Sequence, residues 1–311
     1  MIEILMATYN AERFLRAQLD SILNQTNQDW KLIVRDDCSS DNTVEILQEY
    51  QEREPDRIQL IQSEHPSGSA QNNFFWLMQY WKKHGQADYA MFADQDDVWL
   101  EEKIECTIEK MHWLEGQYGT EIPLLVHTDL AVVDEALSIL NNSLFDMHNM
   151  DSNRNQLNNI LVQNIVTGCT VMINRSLIKM VCEIPKHAVM HDMWLALIAA
   201  AFGHIGFIDR ATMLYRQHGQ NVKGAQNMKS AAYLLKKIAH LQDVHSGLVE
   251  QYKQAAEFLR IYDVYLNAEQ KEMLYAYSTF EEKNAVSKYK ALKKYALYKK
   301  GFVRKLGQIL L

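Results

Sequence analysis

Asp94-Gln95-Asp96-Asp97 sets three carboxylates within four residues, directly after the apolar run Tyr89-Ala90-Met91-Phe92-Ala93. Carboxylates this close repel one another, and each keeps its charge more easily with a cation among them. An Asp-x-Asp pair at the end of a buried strand presents oxygens to a hard cation such as Mg²⁺ or Mn²⁺. One or two carboxylates hold such an ion while phosphate oxygens complete its shell. The competing reading is an acidic turn in which Asp96 or Asp97 caps a helix starting near Leu100.

The elements that must position this loop are legible in the hydrophobic pattern. Glu3–Thr8, Trp30–Val34, Ile58–Ile61 and Tyr89–Ala93 read as strands. Between them lie amphipathic stretches: Phe14, Leu15, Leu19, Ile22 and Leu23 in the first, and Val44, Ile46 and Leu47 in the second, where Asn42 and Glu45 make a capping box. A third helix runs through Phe74–Trp81. The alternation predicts an α/β fold with a mostly parallel, doubly wound sheet. Ligands of such sheets bind at the carboxyl ends of the strands. Thr8-Tyr9-Asn10, Asp36-Asp37 and Asp94–Asp97 therefore line one crevice. No G-x-G-x-x-G follows the first strand and no G-x-x-x-x-G-K-[ST] occurs, which disfavours a dinucleotide site or a P-loop. Phosphate would be met through the acidic loop and its cation, and capping becomes secondary.

Further on, Leu124–Asp129 reads as a strand, Asn141–Asn159 as a polar mobile loop, and Ile165–Ile173 as a strand in which Gly168 allows close backbone approach. His191-Asp192-Met193-Trp194 opens an apolar helix, Leu195–Phe202, and Tyr215-Arg216-Gln217-His218 closes the α/β pattern. Beyond Gln226 the pattern is helical, with Val244, Leu248, Tyr252, Ala255, Leu259, Tyr262 and Leu266 on one stripe.

The chain has 311 residues, 48% of them hydrophobic, enough for one large α/β domain with an appendage. Its four cysteines are scattered and read as free thiols of a reducing compartment. Ile2–Ala7 reads as a strand and not as a signal peptide, and the apolar run Met193–Phe202 is about half the length of a membrane span. A cytoplasmic location is expected, with no nucleic-acid partner. The net charge of −7 conceals a split, because Lys283–Leu311 carries nine Lys or Arg and no acid, leaving −16 on the first 282 residues.

Taken together, Ala7-Thr8-Tyr9-Asn10, Asp36-Asp37-x-Ser39-Ser40-Asp41-Asn42-Thr43, Asp94-x-Asp96-Asp97 and His191-Asp192-x-Trp194 resemble, in order and spacing, glycosyltransferase family 2, whose fold is GT-A. Asp94-Gln95-Asp96-Asp97-Val98-Trp99, His191–Trp194 and Tyr215–His218 look more narrowly like bacterial rhamnosyltransferases of cell-wall polysaccharides. The resemblance covers roughly residues 1–220. It implies a GT-A domain over 1–222, and the helical pattern beyond it gives a helical C-terminal region over 223–311. It also implies an inverting, metal-dependent transfer of a sugar from a nucleotide-sugar donor, dTDP-L-rhamnose foremost, to a growing, lipid-linked glycan.

The residue roles follow from the same resemblance. Asp96, with Asp94 and His218, holds a divalent Mn or Mg ion. Thr8, Tyr9, Asn10, Asp36, Asp37, Asn73, Asp94 and Gln95 bind the donor, with a simple helix cap as the other reading of Asn73. Asp192 is the general base that deprotonates the acceptor hydroxyl, or else an N-cap. Asp129, Gly168, His191 and Trp194 line the acceptor side. Asp97 is a spare carboxylate that orients a ligand or caps the helix. The alternatives are a UDP-hexose donor, nucleotidyl transfer, for which no basic phosphate-gripping loop is present early in the chain, and a non-catalytic glycan-binding protein.

The tail over 283–311 lies outside the resemblance. Tyr289, Leu292, Tyr295, Phe302, Leu306 and Ile309 share one face, with eight basic residues from Lys288 to Lys305 around them. Such a face suits an anionic membrane surface on the inner side of the cell membrane. The alternative is a helix packed on the protein or on a second subunit.

Overall fold

The computed structural model describes residues 1–219, 241–301, 305 and 307–309. The described chain divides into two compact units. The first holds Met1–Phe145, Val166–Val181 and the stretch beginning at His204. The second holds Asp146–Ile165, Cys182–Gly203 and the C-terminal helices. The boundary expected at 222–223 lies outside the described residues.

The first unit is built on one sheet. Its strands are β1 (Ile2–Thr8), β2 (Trp30–Asp36), β3 (Ile58–Gln62), β4 (Tyr89–Ala93), β5 (Val98–Trp99), β6 (Leu124–Val133), β7 (Ile139–Asn141), β8 (Met172–Asn174) and β9 (His204–Arg216). They lie in the order β3-β2-β1-β4-β8-β6-β9-β5, with β7 paired to β6. β3, β2, β1 and β4 are parallel, as the alternation requires. Beyond β4 the sheet is mixed, since β8 runs antiparallel to both β4 and β6. The expected strand over Ile165–Ile173 is thus only β8, because Gly168–Thr170 winds into a 3₁₀ turn.

The helices of this unit are α1 (Leu15–Leu23), α2 (Thr43–Arg53), α3 (Ala70–His84) and α4 (Lys103–Tyr118). α1 forms because Leu15, Leu19 and Ile22 fall on one face, and all three are buried. Each such side chain stabilises the fold by about 1.5–3 kcal/mol relative to exposure. α4 starts at Lys103, after β5, and its N-cap residue Glu102 makes no side-chain cap bond. The acidic loop therefore caps no helix. The expected capping box of α2 is also absent: Asn42 gives its backbone and side-chain N–H groups to Glu12, and Asp41 accepts the Thr43 N–H.

The polar segment Asn141–Asn159 is not the mobile loop its composition suggests. It contains α5 (Leu144–His148) and enters α6 (Leu157–Val162). Leu144, Leu157, Ile160 and Leu161 are buried, and a few apolar anchors suffice to order a stretch rich in Asn. α7 (Arg175–Met180) completes the first unit, with Asn174 as its N-cap.

In the second unit, α6 packs with α8 (His191–Phe202) and α9 (Leu241–Tyr262), followed by α10 (Ala268–Ser278) and α11 (Ala285–Tyr295). Of the stripe predicted for α9, Leu248, Tyr252, Ala255 and Tyr262 are buried, while Val244 and Leu259 are half-buried and Phe258, outside the predicted stripe, is buried. The tail is not one continuous amphipathic helix. α11 stops at Ala296, which takes a left-handed conformation (φ 52°), and Gly301 turns the chain again at φ 99°. Phe302 and Leu306 of the predicted face lie outside the described residues. Leu292 and Leu297 are buried, and Arg154 and Asn158 bond the carbonyls of Tyr298, Tyr295 and Ala296. No described helix is long and apolar enough to cross a membrane.

Candidate active site

The carboxyl ends of β1, β2 and β4 converge, and the side chains there fall into two groups: those spent on building the crevice and those facing it. Asp36 belongs to the first. It is buried, its Oδ1 accepts from Thr8 Oγ1 (3.1 Å) and Ser39 Oγ (2.6 Å), and its Oδ2 accepts the Ser39 N–H (2.9 Å). Asn10, at φ 49°, accepts the Ser40 N–H and thereby ties the β1 end to the same turn. Asp37 is buried as well, held by Arg35 Nη1 (2.9 Å), the Ser67 N–H (2.7 Å) and Ser67 Oγ (2.7 Å).

Arg35 is the centre that sequence reasoning missed. It is buried, binds Asp37, Asn73 and Ser63, and stacks its guanidinium 4.8 Å from the Trp76 ring centroid. Asn73 returns a bond to the Arg35 carbonyl (3.2 Å) and is not the helix cap; Ser69 is. A lone arginine in a strand carries no signal of its own. Only the pairing of β2 with β1 and β3 brings its partners within reach.

Tyr9 belongs to the second group. It is 55% exposed although it follows the buried Thr8. Gln95 fixes its backbone from across the crevice, accepting the Tyr9 N–H at 2.7 Å and donating to the Tyr9 carbonyl at 3.1 Å. The acidic loop is thus clasped to the end of β1 by one side chain, and the phenol is left free to offer a flat face.

Within the loop the three carboxylates differ. Asp97 is fully buried; its Oδ1 accepts the Arg216 N–H (3.1 Å), and the Cys169 thiol lies beside its carboxyl. Burial, then the charges of Asp96 and Asp94, push its carboxyl well above the usual range. The neighbouring Cys169 thiol is likewise pushed up, chiefly by burial, and burial draws the Lys103 ammonium down to about 8. Asp94 and Asp96 are half-buried. Asp96 Oδ2 meets His218 Nε2 at 2.6 Å.

β5 explains this arrangement. Val98 pairs with Leu214 and Trp99 with Met213, so the end of β9 lies beside the acidic loop. Arg216 then bonds the Asp96 carbonyl through Nε (2.8 Å) and packs over the Phe14 ring, which also flanks His218 at 5.0 Å. Arg216 is a second residue whose part in the site the sequence did not reveal. Its place in Tyr215-Arg216-Gln217-His218, two positions before the histidine, was the available signal.

Among the described residues, the group of three potential ligands that closes within 4.8 Å is Asp94, Asp97 and Cys169, and not the expected Asp94, Asp96 and His218. Hard divalent cations favour oxygen, and a thiol suits softer metals. Of the expected ligands, Asp96 and His218 meet side chain to side chain, and the carboxylate oxygens of Asp94 and Asp96 are of the hard type that Mn²⁺ and Mg²⁺ prefer.

Two residues expected on the acceptor side have structural partners. Asp129 sits where β6 and β9 shift register, and its oxygens accept from Ser143 Oγ and the N–H groups of Leu130, Leu144 and Phe145. It organises the start of α5. Trp194, in the second unit, is fully buried against Phe258 (5.4 Å) and Tyr262 (6.1 Å). His191 is also buried. Gly168 is buried in the 3₁₀ turn, one strand away from β4.

Asp192 lies in the first turn of α8, whose N-cap is Met190. It is therefore not the cap. Its side chain is half-exposed, and Oδ1 accepts from the Met193 N–H (2.5 Å) and Asn164 Nδ2 (3.2 Å). Asn164 orients the carboxylate and is a further residue the sequence did not single out.

This carboxylate-lined crevice at the ends of parallel strands is the GT-A arrangement. Residues 3–179 match glycosyl transferase family 2, and the chain belongs to that family. It is a glycosyltransferase. Among its relatives, the dTDP-rhamnosyl transferase RfbG of Shigella flexneri is 30% identical over 241 residues, 73% of this chain and 76% of the relative. The UDP-Glc:alpha-D-GlcNAc-diphosphoundecaprenol beta-1,3-glucosyltransferase WfgD of Escherichia coli is 27% identical over 199 residues, 64% of this chain and 70% of the relative. Of solved structures, S. aureus TarS 1-349 aligns with a TM-score of 0.58 at 16% identity, covering 90% of this chain and 71% of that one. The mannosyltransferase PcManGT of Pyrobaculum calidifontis, solved with GDP-Man and Mn²⁺, aligns at 0.55 and 18% identity over 95% of this chain and 74% of that one. These likenesses show the fold.

Proposed function

We propose that this enzyme transfers L-rhamnose from dTDP-L-rhamnose, with inversion, to a growing lipid-linked cell-surface polysaccharide. The observation that carries the nucleotide-sugar part is the exposed Tyr9, whose backbone Gln95 clasps to a loop bearing Asp94 and Asp96. The ring offers a stacking face for a base, and the carboxylates lie one residue away from the clasp. The choice of rhamnose is supported by the 30% identity to the Shigella flexneri enzyme.

Asp96 and His218, with Asp94, would hold a divalent cation. When bound, such an ion neutralises the charge that grows on a diphosphate leaving group. Arg216 and Gln95 hold the loop in place, so little reorganisation is left for the reaction itself. Thr8, Asn10, Asp36, Asp37 and Asn73 act at one remove, fixing the turn on which Tyr9 stands. Asp192 accepts the proton of the attacking acceptor hydroxyl, its carboxylate steadied by Asn164. A single base with no second carboxylate in the role of nucleophile gives inversion.

A UDP-hexose donor is the second reading, favoured by the 27% identity to an enzyme that uses UDP-Glc. A thermal-shift panel of dTDP-rhamnose, UDP-glucose and GDP-mannose, with and without Mn²⁺ or Mg²⁺, separates the two. A rise specific to dTDP-rhamnose and dependent on metal is expected. A rise with UDP-glucose alone would replace the donor assignment, and no rise with any donor would remove it.

The enzyme would work at the inner face of the cell membrane. Val286, Tyr289, Lys290 and Lys293 are exposed at helical spacing on α11, a basic and aromatic face suited to anionic lipid. Replacing Tyr289, Lys290 and Lys293 by Ser, which leaves the buried Leu292 in place, should abolish sedimentation with anionic vesicles. Unchanged sedimentation would leave α11 a purely structural helix, or one that meets a second subunit.

A further inference from the structure

The loop that leads into Asp192 is held by residues of the C-terminal helices, all within the second unit. Glu257 of α9 is 6% exposed, and its two carboxylate oxygens accept separately from the backbone N–H groups of Lys186 (2.8 Å) and His187 (2.5 Å). One turn earlier, Gln254, fully buried, accepts the N–H of Val189 at 2.7 Å. One turn later, Arg260 bonds Glu183. Residues 254, 257 and 260 thus grip 183–189 from one edge of the helix, at a spacing of three.

A carboxylate accepting two backbone N–H groups makes charge-assisted bonds, roughly twice as strong as neutral ones. A surface loop closed only by its own turns does not call for a buried glutamate. The segment it fixes ends at Met190, the N-cap of α8, whose carbonyl accepts the Trp194 N–H. The opposite side of α8 is held by the same helix, through Trp194 against Phe258 and Tyr262. Gln270 of α10 bonds the carbonyl of Ala201 at the far end of α8. The first turn of α8, and Asp192 with it, is therefore flanked by two contacts to α9, through the loop before it and through Trp194.

We propose that Glu257, assisted by Gln254, is a positioning residue for the reaction: α9 sets where the Asp192 carboxylate stands. This rests on Asp192 being the base. Glu257 touches no substrate. A misplacement of about 1 Å in a reacting group costs on the order of a hundredfold in rate, so a loosened loop is felt in kcat.

The test compares Glu257→Gln, Asp192→Asn and the double variant in the full-length enzyme, by steady-state kinetics, donor binding and hydrogen exchange. Glu257→Gln keeps the shape and one acceptor oxygen but turns an amide N–H₂ toward a backbone N–H. It is expected to lower kcat about tenfold or more, with donor KM unchanged, and to speed exchange at the amides of Lys186 and His187. The double variant should be no slower than Asp192→Asn, because Glu257 acts through Asp192. Unchanged kcat in Glu257→Gln beside an inactive Asp192→Asn overturns the positioning role and leaves the base assignment standing. A double variant slower than Asp192→Asn by the full Glu257→Gln factor also overturns it. Full activity of Asp192→Asn overturns the base assignment and this inference with it. Gln254→Leu, which removes only the acceptor for Val189, carries the same expectation at smaller size and serves if Glu257→Gln does not fold.

Discussion

His127 should make this enzyme acid-labile, and its replacement should cure the defect. The imidazole sits on β6, completely buried beside the stacked rings of Phe145 (5.7 Å) and Phe207 (5.0 Å), and neither ring nitrogen has a hydrogen-bond partner. Burial pulls its pKa down to about 3 from an ordinary value of 6.5. The folded protein then binds no proton there while the unfolded chain does, so stability is complete above pH 6.5 and falls as the pH drops from 6.5 toward 3. Each pH unit in that window costs about 1.4 kcal/mol, so at pH 5 the penalty is roughly 2 kcal/mol, and the ceiling is about 5 kcal/mol. His127→Leu fills a similar volume, removes two unpaired polar atoms and abolishes the proton linkage. Melting curves of both proteins at pH 7.5 and pH 5 are the assay. The wild type should lose several degrees more than the variant between the two, and the variant should equal or exceed the wild type at pH 7.5. Identical pH dependence in the two proteins would refute the reasoning, since it would mean that His127 takes up no proton on unfolding.

Three further outcomes are expected. Tyr9→Ala should weaken nucleoside diphosphate binding by about 1–3 kcal/mol, the range of base–aromatic stacking, while the melting temperature holds because the Gln95 clasp uses only the backbone; calorimetric titration reads it. Arg35→Met leaves the Asp37 carboxylate buried without its cation and should destabilise the fold by about 3–5 kcal/mol, measured by urea denaturation. Asp96→Asn should abolish any Mn²⁺-dependent gain in donor affinity yet leave metal-free donor binding nearly intact, and an undiminished metal effect would remove Asp96 from the ligand set.

The first four strands, their intervening helices and the crevice at their ends were legible in the sequence because hydrophobic periodicity is local and the parallel order follows from it. The motif residues were legible too, since carboxylates at a strand end are an uneconomical use of charge unless something binds them. Their division of labour was not. Asp36, Asp37 and Asn73 look like ligand contacts in one dimension, and in the fold each also bonds a residue distant in the chain, Thr8, Ser67 and Arg35 respectively.

Composition also misled where a few contacts outweigh many polar residues. The Asn-rich stretch after β7 is ordered by Leu144, Leu157 and Ile160, and Asp129 is drawn into capping α5 by a register shift that no local pattern announces. The amphipathic tail breaks at Ala296 because its buried leucines, Leu292 and Leu297, must meet other elements of their unit.

The sequence by itself carried the order of the first four strands and their helices, the position of the acidic loop and the family. The tertiary structure alone decided which carboxylates remain available, because a side chain's free valences depend on neighbours that are distant in the chain. Arg35 and Asn73, Gln95 and Tyr9, Arg216 and Asp96, and Glu257 and His187 are 38, 86, 120 and 70 residues apart, and each pair exists only once the strands and helices have packed.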